Sequence, residues 1–272
     1  MLLQDFARPE YLAIGMARRH SSPGTSHRGF LPHFYKPMQS IQAIFFDIGD
    51  TLVFDDPPLR DRLVTAAHSL GLTLDPARLP DAFRGAEAFA VKRYVAGIVW
   101  DAPGALRETV GVLWESLGLP PLTDSQWGAF TTTFAALPFV RFVPPEAFAL
   151  LDELKSRGFR LGAISDWEDT LPEVLTELGL IDYVEALAIS AVVGVAKPNP
   201  LIFEDMLGQI GLPAANCLHV GDWYELDAVG AKEAGMSALL FDWAGRTPDA
   251  DCPRVTDWSA LSEYLLALPA PL

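Results

Sequence analysis

Cysteine, positive charge and long apolar runs are all scarce in this chain of 272 residues. The two cysteines, Cys217 and Cys252, form no CxxC, which excludes a disulfide framework and a thiolate zinc site and fits a reducing compartment. No stretch reaches the roughly 18 apolar residues of a membrane-spanning helix. The longest candidate, residues 186–196, is bounded by Glu185 and Lys197. Lys and Arg number 20 against 35 Asp and Glu, a formal net charge of −15. A field of that sign repels nucleic-acid backbones and anionic lipid, so neither nucleic acid nor membrane is an expected partner, and a small anionic substrate would need a local cation. The opening MLLQDFARPE carries Asp5 and no unbroken apolar stretch, so no signal peptide is expected and a cytoplasmic location follows. Half the residues are hydrophobic, enough for a sizeable core.

Residues 1–38 differ from the rest: Arg8, Arg18, Arg19, Arg28 and Lys36 outnumber Asp5 and Glu10, and SSPGTSHRG is rich in turn formers. A flexible N-terminal extension is expected there. From Ile41 the pattern sharpens. IQAIFFDI reads as a strand that ends in a turn at Gly49. Four helical segments follow over about 59–137, punctuated by Gly and Pro. After a helix in PPEAFALLDELKSRGF come strands RLGAIS, VEALAIS, NCLHVGD and SALLFDW, alternating with helices LPEVLTELGL, PNPLIFEDMLGQIGL, ELDAVGAKEAGM and WSALSEYLLAL. That alternation means an α/β chain with a doubly wound parallel sheet, and the helical block reads as an inserted second unit.

In such sheets the polar residues at the C-terminal ends of strands line the ligand crevice. Here they are few. Asp47 ends the first strand, Ser165 and Asp166 the second, Lys197 follows the third, and Asp222 ends the fourth with Asp227 five residues on. Carboxylates, a hydroxyl and an ammonium group together suggest a hard cation with an anionic oxygen ligand. Mg²⁺ suits such a set, because it binds through one or two carboxylates and keeps phosphate oxygens and waters as its other ligands.

FFDIGDTL, AISDW, GVAKPNPLIF and HVGDWYELDAVGAKEAG, in that order, resemble the four motifs of the haloacid-dehalogenase-like (HAD) hydrolase superfamily over about residues 41–243. The resemblance implies a Rossmann-like core, 39–57 and 140–272, with a helical cap inserted at 58–139. It implies that Asp47 is the nucleophile that becomes an aspartyl-phosphate and also a metal ligand, with Asp222 and the Gly49 carbonyl as further ligands. Asp227 would bind the metal through water or orient Lys197. Ser165 would donate to a phosphoryl oxygen, and Lys197 would neutralise charge there and hold Asp47 ionised. The implied activity is Mg²⁺-dependent hydrolysis of a small phosphorylated metabolite; nothing in the sequence specifies an oligomeric state.

One position departs from the pattern. The family's phosphatases read Asp-x-Asp-Gly-Thr, whereas this chain reads Asp47-Ile48-Gly49-Asp50-Thr51, with Gly49 where the second Asp, the general acid and base, should stand. A positioned acid contributes roughly 10²–10⁴-fold, most for basic leaving groups, so good leaving groups such as aryl or acyl phosphates are expected to be favoured. A turn at Asp50 could restore the carboxyl. Dehalogenases and phosphonate-cleaving members also lack that acid, and a catalytically weak binding or regulatory module is a further alternative.

Plainer readings stand beside these. Ser165 could cap the next helix, Lys197 could lie in a surface turn, and Asp227 could merely favour a helix N-terminus. Asp166 and Asp169 read as caps or solvated residues, His219 as packed core, and the five histidines show no metal spacing. Trp167 and Trp223 follow strand ends, where walling a pocket and ordinary packing are equally open. In the helical block, Lys92, Arg93 and Tyr94 could reach a substrate, although a solvated face is the commoner fate.

Overall fold

Alternation within the first strand sets the architecture. The computed structural model describes residues 41–97 and 104–271, and the extension expected over 1–38 lies outside them. In β1 (Ala43–Phe46) all four side chains are buried, Ala43 and Phe45 in one cluster and Ile44 and Phe46 in another. Such a strand needs a layer on each face. With β4 (Arg160–Ser165), β5 (Ala186–Ile189), β6 (Cys217–Gly221), β7 (Ser237–Phe241) and β8 (Arg254–Val255) it forms a six-stranded sheet in the order β5-β4-β1-β6-β7-β8. Every pairing is parallel, and Phe46 stands opposite Ala163 and Val220. The expected doubly wound α/β sheet is present.

On one face Ile44 and Phe46 meet Leu150, Leu151 and Leu154 of α5 (Pro145–Ser156), Leu171 and Leu175 of α6 (Leu171–Glu177), and Leu261 and Leu265 of α10 (Trp258–Leu266). On the other, Ala43 and Phe45 meet α8 (Pro200–Ile210), which presents Ile202, Phe203, Met206 and Ile210 at helical spacing. Asn199 caps α8 by accepting the Leu201 N–H at 3.0 Å, Pro200 occupies its first turn, and Gly211 closes it at φ +68°. The Asn199 cap thus fixes the end of the loop ahead of α8, which carries Lys197.

Between β2 (Phe54–Asp56) and β3 (Val140–Phe142), an antiparallel ribbon, the chain makes α1 (Leu59–Ser69), α2 (Leu79–Val95), α3 (Ala105–Leu117) and α4 (Asp124–Ala136). These helices have their own core, in which Trp114 meets Phe130 edge-on at 5.6 Å. Arg62 ties α1 to the ribbon, bonding Asp55 at 2.7 Å and lying 3.9 Å over the Phe139 ring. The ribbon was not expected, because three-residue strands are too short to show a period. The helix expected over 225–236 also differs: residues Tyr224–Val229 form a π-turn and only Gly230–Glu233 continue as α9. No described helix is long and apolar enough to cross a membrane.

Candidate active site

A parallel sheet delivers all its strand tips to one edge, and the chemistry collects there. Asp47 follows β1, Ser165 closes β4, Asp222 follows Gly221 at the end of β6, Lys197 sits ahead of α8 and Asp227 lies in the π-turn. The structure buries all five: Asp47 is 6% exposed, Lys197 3%, and Ser165, Asp222 and Asp227 1% each. A lysine so deeply buried has to be paired.

Its pairing organises the cluster. Lys197 Nζ donates to Asp47 Oδ1 at 2.7 Å and to Asp227 Oδ1 at 2.6 Å, bridging residues 150 and 30 positions away. Burial works against the ammonium, yet Asp227 and Asp47 hold its pKa well above the ordinary value, so it is charged. Burial also works to raise the Asp227 carboxyl, but Lys197 and the His219 hydrogen bond outweigh it and hold that group below the usual carboxylate range. Asp47 goes the other way: burial raises it despite Lys197, and the nearby Asp227 charge adds to the rise. Thr51 Oγ1 lies 3.5 Å from Asp47 Oδ2.

Asp227 is satisfied on both oxygens, by Lys197 and His219 Nε2 (3.0 Å) on Oδ1 and by the Trp223 N–H (2.9 Å) on Oδ2. This is what the π-turn accomplishes. It folds the Asp227 side chain back onto the N–H four residues earlier and against the end of β6. Gly221 is required by that crowding, since a Cβ there would stand 2.6 Å from Asp227 Cβ and closer still to its Cγ. Gly221→Ala is therefore expected to destabilise the protein by about 1–3 kcal/mol and to displace the Lys197 anchor. Calorimetry would read the lowered melting temperature; an unshifted transition would mean that Asp227 has room to move.

Among the three clustered aspartates, Asp222 keeps an oxygen that is buried and unpartnered. Its Oδ2 accepts from Arg246 Nη1 at 2.5 Å, while Oδ1 is buried without a partner. Burial pushes its carboxyl well above the ordinary range, with Arg246 opposing. Oxygens of Asp47, Asp222 and Asp227 all lie within 4.8 Å of one another, so these three aspartates could hold a metal ion. An all-oxygen donor set with one orphaned carboxylate oxygen fits a hard divalent cation. Among the described residues no hydrogen bond reaches the Gly49 carbonyl, the fourth expected ligand, and none engages the Ser165 hydroxyl.

Several residues take places the sequence did not assign. Arg246, from the loop after β7, lies 4.3 Å over the Trp223 ring and 5.5 Å from the Trp243 ring centre, and its Nε stands 3.5 Å from Glu87 of α2. Only strand order, which puts β7 beside β6, could have hinted at it. His219 is core, packed edge-on against Phe203 at 5.5 Å, but it also holds Asp227. Asp166 is not a helix cap: Thr170 precedes α6, and Asp166 Oδ1 accepts the Lys197 N–H at 2.9 Å. Asp50 adopts φ +56°, donates its N–H to the Val53 carbonyl and accepts from Trp243 Nε1 at 2.7 Å. An Asp is among the few non-glycine residues that tolerate such a backbone. Its side chain is exposed and makes no hydrogen bond among the described residues; the nearest charges it feels are those of Arg246 and Asp47, which puts it on the Arg246 side of the site. Of the three residues in the second helix, Tyr94 is buried beside Asp166, Arg93 pairs with Glu108 of α3, and Lys92 is exposed. A cavity of about 330 Å³ opens between α2 and the end of β6, lined by Glu87, Val91, Asp222, Trp223 and Arg246 among others.

A family model described as haloacid dehalogenase-like hydrolase matches residues 41–235, which contain all five strand-tip residues. The chain is similar to Haloacid dehalogenase-like hydrolase domain-containing protein 3 of Mus musculus, 26% identical over 218 residues, 76% of this chain and 84% of that protein. A shorter likeness, 37% over 102 residues, joins it to Glyceraldehyde 3-phosphate phosphatase of Methanothermobacter thermautotrophicus and covers 35% of this chain and 43% of that one. Among solved structures, the L-2-haloacid dehalogenase RSc1362 shares the fold with a TM-score of 0.58 at 21% identity, over 84% of this chain and 100% of that one.

Proposed function

The chain belongs to the haloacid dehalogenase-like hydrolase family, and on that premise we propose that it is a Mg²⁺-dependent phosphatase that transfers the phosphoryl group of a small metabolite to Asp47. The observation that carries this reading is the Lys197 bridge between Asp47 and Asp227, set beside the unpartnered oxygen of Asp222. Three buried carboxylates against the Lys197 ammonium and the Arg246 guanidinium are short of positive charge, and a dianionic substrate would deepen the deficit. Asp47, Asp222, Asp227 and the Gly49 carbonyl would hold the ion. When bound, Mg²⁺ would offset the carboxylate charge and that of the phosphoryl oxygens.

Within that frame Lys197 keeps the Asp47 carboxylate oriented and ionised and neutralises charge developing on the phosphoryl oxygens. Asp227, held by Trp223 and His219, keeps Lys197 in place. The Ser165 hydroxyl donates to a phosphoryl oxygen. Attack by Asp47 forms an aspartyl-phosphate and releases the alcohol, and water then hydrolyses the acyl phosphate. The α1–α4 unit over 58–139 acts as a cap on a core of 39–57 and 140–272, and its Glu87 and Val91 wall the substrate side. The likeness to a glyceraldehyde 3-phosphate phosphatase supports a small phosphorylated substrate.

The test is turnover of p-nitrophenyl phosphate with Mg²⁺ and with EDTA. Activity is expected with the ion and not with the chelator. Mg²⁺ at about 100 times its Kd should also stabilise the fold by about 2.7 kcal/mol, raising the melting temperature by ~5–10 °C. Absence of both effects would sink the proposal. One observation favours a second reading, metal-independent dehalogenation: Arg246 already neutralises Asp222, and Gly49 brings no acid. Halide release from a 2-haloacid in EDTA would establish it.

A further inference from the structure

Gly49 lacks a side chain, and the Asp50 carboxyl is exposed on the Arg246 side with no hydrogen bond among the described residues to hold it, which leaves the proton for the leaving oxygen to another group. One half-buried carboxyl at the site has no part in the steps above. Asp166 follows Ser165 at the tip of β4; its Oδ1 is fixed by the Lys197 N–H, and its Oδ2 is buried with no hydrogen-bond partner. A buried carboxylate oxygen left without a partner costs free energy unless a ligand meets it. The titratable groups that face Asp166 are Lys197 from the loop ahead of α8, Asp47 at the tip of β1, Asp227 in the π-turn and Tyr94 from α2. Tyr94 belongs to the helical unit, so Asp166 sits between the sheet edge and the helices. In-line displacement at phosphorus puts the leaving oxygen on the side away from Asp47, toward those helices.

We propose, resting on the phosphatase reading, that Asp166 is the general acid and base of this enzyme. In the first step the Asp47 carboxylate forms its bond to phosphorus as the bond to the leaving oxygen breaks, and the Asp166 carboxyl gives that oxygen its proton, releasing the alcohol. In the second, the Asp166 carboxylate takes one proton from the attacking water. The new P–O bond forms, Asp47 leaves as carboxylate, and hydrogen phosphate and the protonated Asp166 are restored. Burial, opposed by Lys197, pushes this carboxyl up to about 6, so it can serve both roles near neutrality.

The consequence is a leaving-group preference that depends on pH. At pH 8 Asp166 is almost wholly ionised and aryl phosphates, which need no acid, are favoured. At pH 6 about half of it carries the proton, and the ratio of aryl to alkyl turnover should fall by about 50-fold. The experiment measures kcat for p-nitrophenyl phosphate and glycerol phosphate between pH 5.5 and 8.5, with Mg²⁺, on the full chain. Wild type is expected to show the narrowing ratio; a ratio constant with pH overturns the proposal without any variant. Asp166→Asn keeps the acceptor for the Lys197 N–H. It should lose about 10²–10⁴-fold on the alkyl ester, less than about tenfold on the aryl ester, and the pH dependence of the ratio. Equal losses on both esters, or none, would overturn it. Asp47→Asn, run alongside, separates the two claims, since turnover surviving that change would defeat the phosphatase reading itself.

Discussion

Asp47→Asn is expected to lower kcat by at least about 10⁴-fold, on aryl and alkyl phosphates alike, and to leave the fold intact. The amide keeps the size of the carboxyl, its oxygen can still accept from Lys197 and its NH2 can donate to the Thr51 hydroxyl, so the geometry of the turn survives. What is lost is the nucleophile. The change also removes one negative charge from a cluster in which Asp47 and Asp227 both raise the Asp222 carboxyl, so metal-free stability should hold or rise. Intact-mass analysis of protein quenched during turnover should find a phosphoryl adduct on wild type and none on the variant. Retention of more than about a hundredth of the activity would remove Asp47 from the role given to it.

Lys197→Met should combine the second-largest loss of activity with the largest loss of stability. Without the ammonium, Asp47 and Asp227 remain buried with no cation between them, which costs about 3–5 kcal/mol when one partner of a buried pair is removed. At roughly 2–4 °C per kcal/mol the melting temperature in EDTA falls by about 10 °C. The gain in stability toward acid pH should steepen as well, since Asp47 and Asp222 are already raised in wild type and Asp227 joins them. In wild type the Asp227 carboxyl is held low, so its contribution is complete above the unfolded value and is lost only as pH falls below it. In the variant both carboxyls are raised, the folded state binds more protons, and stability grows as pH falls from 8 toward 5. A variant as stable as wild type at pH 8 would show that the bridge matters little to the fold.

Much of this arrangement was legible because a doubly wound sheet converts chain order into spatial order. Asp47 and Asp222 sit just past strands, Ser165 closes one and Lys197 lies in the connection between β5 and α8, and parallel pairing brings strand tips to one edge whatever the connecting lengths. Asp227 followed from its distance to Asp222, though the π-turn that aims it did not, because it arises from hydrogen bonds to Lys197, His219 and the Trp223 N–H that no local periodicity encodes. Asp166 was misread for a related reason. An Asp between a strand and a helix has the composition of a cap, and only the Lys197 N–H, 31 residues away, shows otherwise. The β2–β3 ribbon is stabilised by Phe54, Phe142, Trp243 and Trp258 meeting across long separations rather than by alternation within three residues.

The recognisable motifs end before the folding unit does. Residues 41–235 carry the family likeness, yet β7, β8 and α10 all lie beyond Gly235. Leu239, Phe241, Leu261 and Leu265 fill one side of the sheet, Trp243 pins the Asp50 carbonyl from 193 residues away, and Arg246 holds Asp222. A polypeptide cut to the matched boundary would therefore expose a hydrophobic sheet edge and release the turn that shapes the reactive aspartate. Transplanting or minimising this domain requires the 37 residues beyond the matched boundary, even though no diagnostic signature marks them.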